Sequence, residues 1–103
     1  MRFMITFRMP TDTANAATKE GRLPQSMQSI MEELQPEAAY FTVVDGARGG
    51  HFIVNIDNPA QLPAMLEPLY LALGARIDVQ LALTPEDFEQ ATPGIERARQ
   101  KYG

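Results

Sequence analysis

The chain of 103 residues contains no cysteine, no tryptophan and a single histidine. Without cysteine there are no disulfides, no thiolate metal sites and no thiol nucleophile, and the composition fits a cytoplasmic address. No apolar run approaches the eighteen or so residues that cross a bilayer, so a membrane partner is not expected. Basic charge is also scarce: nine Lys and Arg against thirteen Asp and Glu leave a net charge of −4, which argues against nucleic acid as the main partner. The opening Met1–Pro10 has two arginines in an alternating stretch and no small-residue cleavage site, which argues against a signal peptide. What remains is 45% hydrophobic, enough for one compact domain over residues 1–103, with 93–103 as a loosely packed tail.

Hydrophobic periodicity divides the chain. Phe3, Ile5 and Phe7 alternate with Arg2, Met4, Thr6 and Arg8, a strand pattern closed by Pro10. Thr11–Gly21, rich in Ala, Thr, Asn and Asp, shows no apolar stripe and reads as a loop or a loose helical turn. Met27, Ile30, Met31 and Leu34 recur at helical spacing after Pro24, and Pro36 ends that helix. Two runs rich in β-branched and aromatic residues, Ala38–Val44 and His51–Ile56, flank the turn residues Asp45–Gly50 and predict a hairpin. Asn58-Pro59 opens a second helix through Leu62, Met65, Leu66, Leu69, Tyr70 and Leu73, with a kink or break expected at Pro68 and a cap at Gly74. Ile77, Val79, Leu81 and Leu83 mark a fourth strand. Thr84-Pro85-Glu86-Asp87 has the chemistry of a helix start, and the charged tail from Ile95 is predicted to be helical and weakly anchored.

The order βαββαβ is the split-βαβ, ferredoxin-like pattern: an α+β fold with helices on one face of a four-stranded antiparallel sheet. One sheet face would carry Phe3, Ile5, Phe7, Phe52 and Val54, together with Phe41, Val43, Ile77, Val79, Leu81 and Leu83, all expected under the helices. The other would mix Met4, Val44, Ile53 and Ala82 with Arg2, Thr6, Arg8, Tyr40, Thr42, His51, Asn55, Asp78 and Gln80. That face is too apolar for bulk water and too polar for a dry core. It suits a wet interior shared with a second copy of the chain, a two-fold homodimer with a cavity between facing sheets.

Several segments carry a resemblance. Glu37–Thr42, the Asp45-Gly46 turn, Ile56–Asn58, Pro63–Tyr70 and Thr84–Phe88 are similar to an uncharacterised group of small bacterial proteins of the dimeric α/β-barrel superfamily. Muconolactone isomerase-like, YCII-like and antibiotic-biosynthesis-monooxygenase-like proteins stand in the same superfamily. The resemblance spans roughly Ala38–Phe88 plus the first strand. It implies the dimeric barrel fold and no catalytic residue, since enzymes and binding proteins share that fold.

His51 is the candidate catalytic residue, since histidine as a residue type exchanges protons near neutrality. Its plainer role is that of a polar strand-end side chain, which the absence of a placed partner favours. Arg8, Tyr40, Thr42 and Asn55 are candidate ligand-binding residues, with Arg8 able to hold a carboxylate; they serve equally well as mutually satisfied groups across a dimer interface. Tyr70 could close the mouth of a cavity, although a core position explains it more simply. Asp78 would act as an acid or base, or pair with Arg2 or Arg8. Neither the glycines of the hairpin nor the methionines of the helices form a cofactor motif, and one histidine with scattered carboxylates makes no metal ligand set, so neither cofactor nor metal is expected. Haem would rest on His51 alone. Two functions follow: a homodimeric binder of a small organic molecule, which as an enzyme would be a cofactor-independent isomerase or monooxygenase-like catalyst, or a non-catalytic interaction or regulatory module whose polar sheet face is only a dimer interface.

Overall fold

A computed structural model describes residues 1–103. The chain runs β1 (Arg2–Arg8), α1 (Thr11–Lys19), α2 (Leu23–Leu34), β2 (Ala38–Val44), β3 (Ala47–Asn55), α3 (Gln61–Leu73), β4 (Arg76–Ala82), α4 (Pro85–Gln90) and α5 (Thr92–Tyr102). It is an α+β fold: the four strands form one antiparallel sheet in the order β2-β3-β1-β4. No helix is long and apolar enough to cross a membrane.

The register puts the paired residues of the four strands on the faces that their period assigns. Phe3, Ile5 and Phe7 lie opposite Val54, Phe52 and Gly50 on one side and Leu81, Val79 and Ile77 on the other. Ile5, Phe7, Phe52 and Val54 are buried with Ile30 and Leu34 of α2 and Leu69 and Leu73 of α3, so both helices cover this face. Phe7 and Phe52 stack at its centre, ring centroids 5.0 Å apart.

The segment Thr11–Lys19, expected as a loop or a loose helical turn, is a regular helix of nine residues. Alanine has the highest helix propensity, and Ala14 and Ala17 are buried three residues apart. The packing stripe is made of methyl groups, too small to register as an apolar pattern. Its first turn carries Asp12 and its last Lys19, signs that suit the helix dipole.

The hairpin is tighter than expected. Asp45 (φ 47°) and Gly46 (φ 78°) form the whole turn, the positive-φ pair that a two-residue type I′ connection needs. Ala47–Gly50, expected as loop, are strand residues paired with both neighbours at Gly49 and Gly50. In α3 the helix is unbroken at Pro68. Its start lies later than Asn58-Pro59: the helix opens at Gln61, with Ala60 at the N-cap and no side-chain cap, and Asn58 shapes the turn before it, its Oδ1 accepting from the Ala60 N–H at 2.9 Å and its own N–H donating to Gln61 Oε1 at 3.0 Å. Gly74 caps its end with φ 59°.

The helices shelter the two central strands and leave the margins bare. Phe41, Val43, Leu81 and Leu83, expected under the helices, are exposed, Val43 by 72%. Tyr70, whose simpler role was a core position, is 46% exposed on α3. Beyond β4 the chain leaves the body. Every residue from Phe88 onward is exposed, and the main packing of α5 is against α4. The radius of gyration is 17.3 Å, against about 13 Å for a compact chain of this length, and the long dimension is 59 Å.

Candidate functional site

The sheet face away from α2 and α3 is built from alternate residues of all four strands. Pairing aligns Tyr40 (β2), His51 (β3), Thr6 (β1) and Asp78 (β4) in one row across the sheet. The next row is Thr42, Gly49, Arg8 and Arg76, and the preceding one Ala38, Ile53, Met4 and Gln80. Two largely polar rows therefore lie beside a largely apolar one.

His51 is half-buried and its Nδ1 lies 2.9 Å from Thr6 Oγ1. Either the hydroxyl donates to an unprotonated Nδ1 or a protonated Nδ1 donates to the hydroxyl oxygen; both fix the ring plane and turn Nε2 away from Thr6. So the histidine has a placed partner, and the partner is on the neighbouring strand. Tyr40, one strand further out, is 63% exposed and its hydroxyl makes no hydrogen bond within the chain. Arg8 crosses the side-chain-free position Gly49, where its Nε donates to the Asp45 carbonyl at 3.4 Å. Its terminal amino groups remain unbonded within the chain. Thr42 shares its row.

Two expected members stand apart. Asn55 pairs with Arg2, six residues from Arg8 along β1, so about 20 Å separates it from the Arg8 row. It accepts at Oδ1 from the Met1 amino group, 3.2 Å away. Tyr70 sits in the helical layer on the opposite side of the sheet. One small ligand cannot touch either residue together with Arg8. Asp78 pairs with neither Arg2 nor Arg8. Arg2 instead holds Glu37 with two hydrogen bonds, 2.8 and 3.1 Å. That pair raises the Arg2 pKa and lowers that of Glu37, the direct hydrogen bond being the largest cause in both. It clips the start of β2 to β1 at the far end of the face. His51 and Asp78 are two strands apart, about 10 Å between backbones, so the row supplies hydrogen-bonding groups in line rather than a convergent ligand set.

A concavity away from this row had no sequence signal. Between the α1–α2 corner and the β2 edge, Met9, Leu23, Met27, Phe41 and Val43 line an open groove of about 540 Å³. Its walls come from four separate elements, so no local pattern reveals it. Exposed Phe41 and Val43 on an edge strand are the nearest to a clue.

A scan against protein-family models finds no match for this chain, and a search of curated proteins finds none either.

Proposed function

We propose that this chain is a homodimeric small-molecule-binding protein of the ferredoxin-like, dimeric α/β-barrel type, with its uncovered sheet face turned toward a second copy. The strand order β2-β3-β1-β4, with α2 and α3 on one face, supports the ferredoxin-like assignment. The observation that carries the functional reading is the Thr6-oriented His51 in a row with Tyr40 and Asp78, on a face its own helices leave bare. A proton-exchanging ring held in plane, a free phenol and the unbonded end of Arg8 together suit a small organic acid or phenol. In this reading Arg8 and Tyr40 bind and orient, Thr42 lines the row of Arg8, and His51 Nε2 moves a proton without a cofactor. Met4, Ile53 and Val44 supply the apolar wall.

Sedimentation at micromolar concentration, followed by a thermal-shift screen of carboxylic acids and phenols, tests the reading. A dimer with a ligand-dependent rise in Tm that His51→Ala and Tyr40→Phe each reduce is the expected result. A lone protomer, or a dimer that no compound stabilises, overturns it. The latter favours the interaction-module reading, which draws support from the same Thr6–His51 bond: the polar groups of a mere interface would also be satisfied pairwise.

A further inference from the structure

Arg8 and Arg76 are directly opposed across the β1–β4 pair, so both side chains rise from the same face of the sheet, their Cα atoms about 5 Å apart. At no other position of the sheet are two charged residues directly paired, and here the signs are alike. Like charges in that relation repel and destabilise a sheet. A carboxylate between them would offset the cost, and the chain has thirteen carboxylates for nine cations. None is placed there. Arg2, on the same strand, holds Glu37, Arg22 holds Glu20 and Arg99 holds Glu96, whereas Arg8 and Arg76 form no ion pair. Asp78, one row back on the same face, pairs with neither of them, and Asp45 offers Arg8 Nε only its backbone carbonyl, at 3.4 Å.

The surroundings leave room for an anion. On its other side Arg8 faces Gly49, which has no side chain, and Thr42 ends the row with an exposed hydroxyl. Arg76 is exposed and Arg8 half-buried. Partial burial weakens solvent screening, so it strengthens both the repulsion within the pair and the pull on an anion. A guanidinium presents its N–H donors as a planar fork that takes two oxygens at once. One monocarboxylate fills one fork and leaves the second cation unbalanced. Two negative charges held close together balance both. The row of Thr6 and His51 lies two residues along the strands, about 7 Å away, within reach of the organic part of a small ligand anchored here.

We infer that Arg8 and Arg76 form a clamp for a doubly charged oxyanion, carried by a small molecule as a phosphate monoester or as two neighbouring carboxylates. The clamp deepens the small-molecule reading above and rests on it for the organic part of the ligand, which Tyr40 and His51 would meet. The anion site itself needs only one protomer.

Calorimetric titration and thermal shift with phenyl phosphate, malonate and benzoate at matched ionic strength test it. Phenyl phosphate or malonate should bind and raise Tm, and benzoate should do so far less; the tighter of the two dianions tells the phosphate source from the dicarboxylate one, and either supports the clamp. Arg8→Gln and Arg76→Gln should each weaken that binding by about tenfold or more, the loss expected for a charge-assisted hydrogen bond. Arg97→Gln, which removes the same charge from exposed α5, should not weaken it. Without ligand, Arg76→Gln should leave Tm unchanged or raised, because a repulsion is removed. Benzoate binding as tightly as both dianions, an equal loss in Arg97→Gln, or a lowered Tm in unliganded Arg76→Gln overturns the clamp. If neither dianion binds while a phenol or monocarboxylate still stabilises a dimer through Tyr40 and His51, the clamp alone fails. If a dianion binds through both arginines to a lone protomer, the clamp stands and the dimeric reading fails.

Discussion

Thr6 Oγ1 lies 2.9 Å from His51 Nδ1, across the β1–β3 pair, and this contact holds the chain's single histidine in place. Thr6→Val keeps the shape and the β-branched stiffness of the side chain while removing the hydroxyl. The net loss in stability should be small, about 1 kcal/mol, because His51 can turn to water. The ring should change more than the fold. Nitrogen NMR of the imidazole should show one dominant tautomer in the parent chain and a mixture in Thr6→Val. An unchanged tautomer pattern would show that the bond does not orient the ring.

Gly49 and Gly50 exist because strands crowd there, not because a turn needs them. A Cβ on Gly50 would stand 2.2 Å from the Tyr40 carbonyl oxygen and 3.1 Å from the Phe7 ring; one on Gly49 would stand 2.2 Å from the Phe7 carbonyl oxygen. Gly50→Ala must therefore displace backbone on β2, at roughly 1–3 kcal/mol or more. Urea unfolding should show a lowered midpoint with unchanged slope. A Gly46→Ala change meets no atom within 4 Å and costs only through its positive φ, so the two variants separate crowding from conformational strain.

Face assignment was legible from residue order; extent was not. Period two placed Thr6, Tyr40, His51 and Asp78 on one side of the sheet, and the pairing agrees. It did not place them along the strands, which is why Asn55 was grouped with Arg8 although register separates them by six residues. Nor does alternation say how far a helix layer reaches: Phe41, Val43, Leu81 and Leu83 have the right parity and still lie outside the cover of α2 and α3. The α1 helix showed only as a loop or a loose helical turn because its packing face is Ala14 and Ala17. The two-residue Asp45-Gly46 turn was masked by the glycines that follow, which belong to strand crowding. The groove depends on elements distant in sequence, so only the folded chain displays it.

Phe52 is fully buried, stacked on Phe7 and edge-on to Phe41, 6.3 Å between centroids. Phe52→Ala should cost about 3–5 kcal/mol, the transfer of the ring plus the cavity it leaves. That is a large share of the ~5–15 kcal/mol that holds a typical domain together. Phe41→Ala, at an exposed ring, should cost much less in the isolated protomer. Calorimetry on the two variants checks the ranking, and a larger loss at Phe41 that grows with protein concentration would locate it in an interface between copies.

The α4 start is a complete capping box: Thr84 Oγ1 accepts from the Asp87 N–H and Asp87 Oδ2 accepts from the Thr84 N–H, both at 3.0 Å. The Thr84 backbone hydrogen bond is the largest cause of a lowered Asp87 pKa. A carboxyl whose folded pKa is depressed contributes stability that is present above its unfolded value, here near 3.8, and is lost as pH falls through the lower folded value. Acid should therefore fray α4 and loosen the α5 helix that follows it before it unfolds the sheet, whose core contains no buried charged residue. Carbon NMR of the Asp87 carboxyl should show a midpoint below that of an unstructured aspartate, and Thr84→Ala should move it back toward the ordinary range while quickening amide exchange at Asp87 and Phe88. If Asp87 titrates normally in the parent chain, the box does not persist in solution.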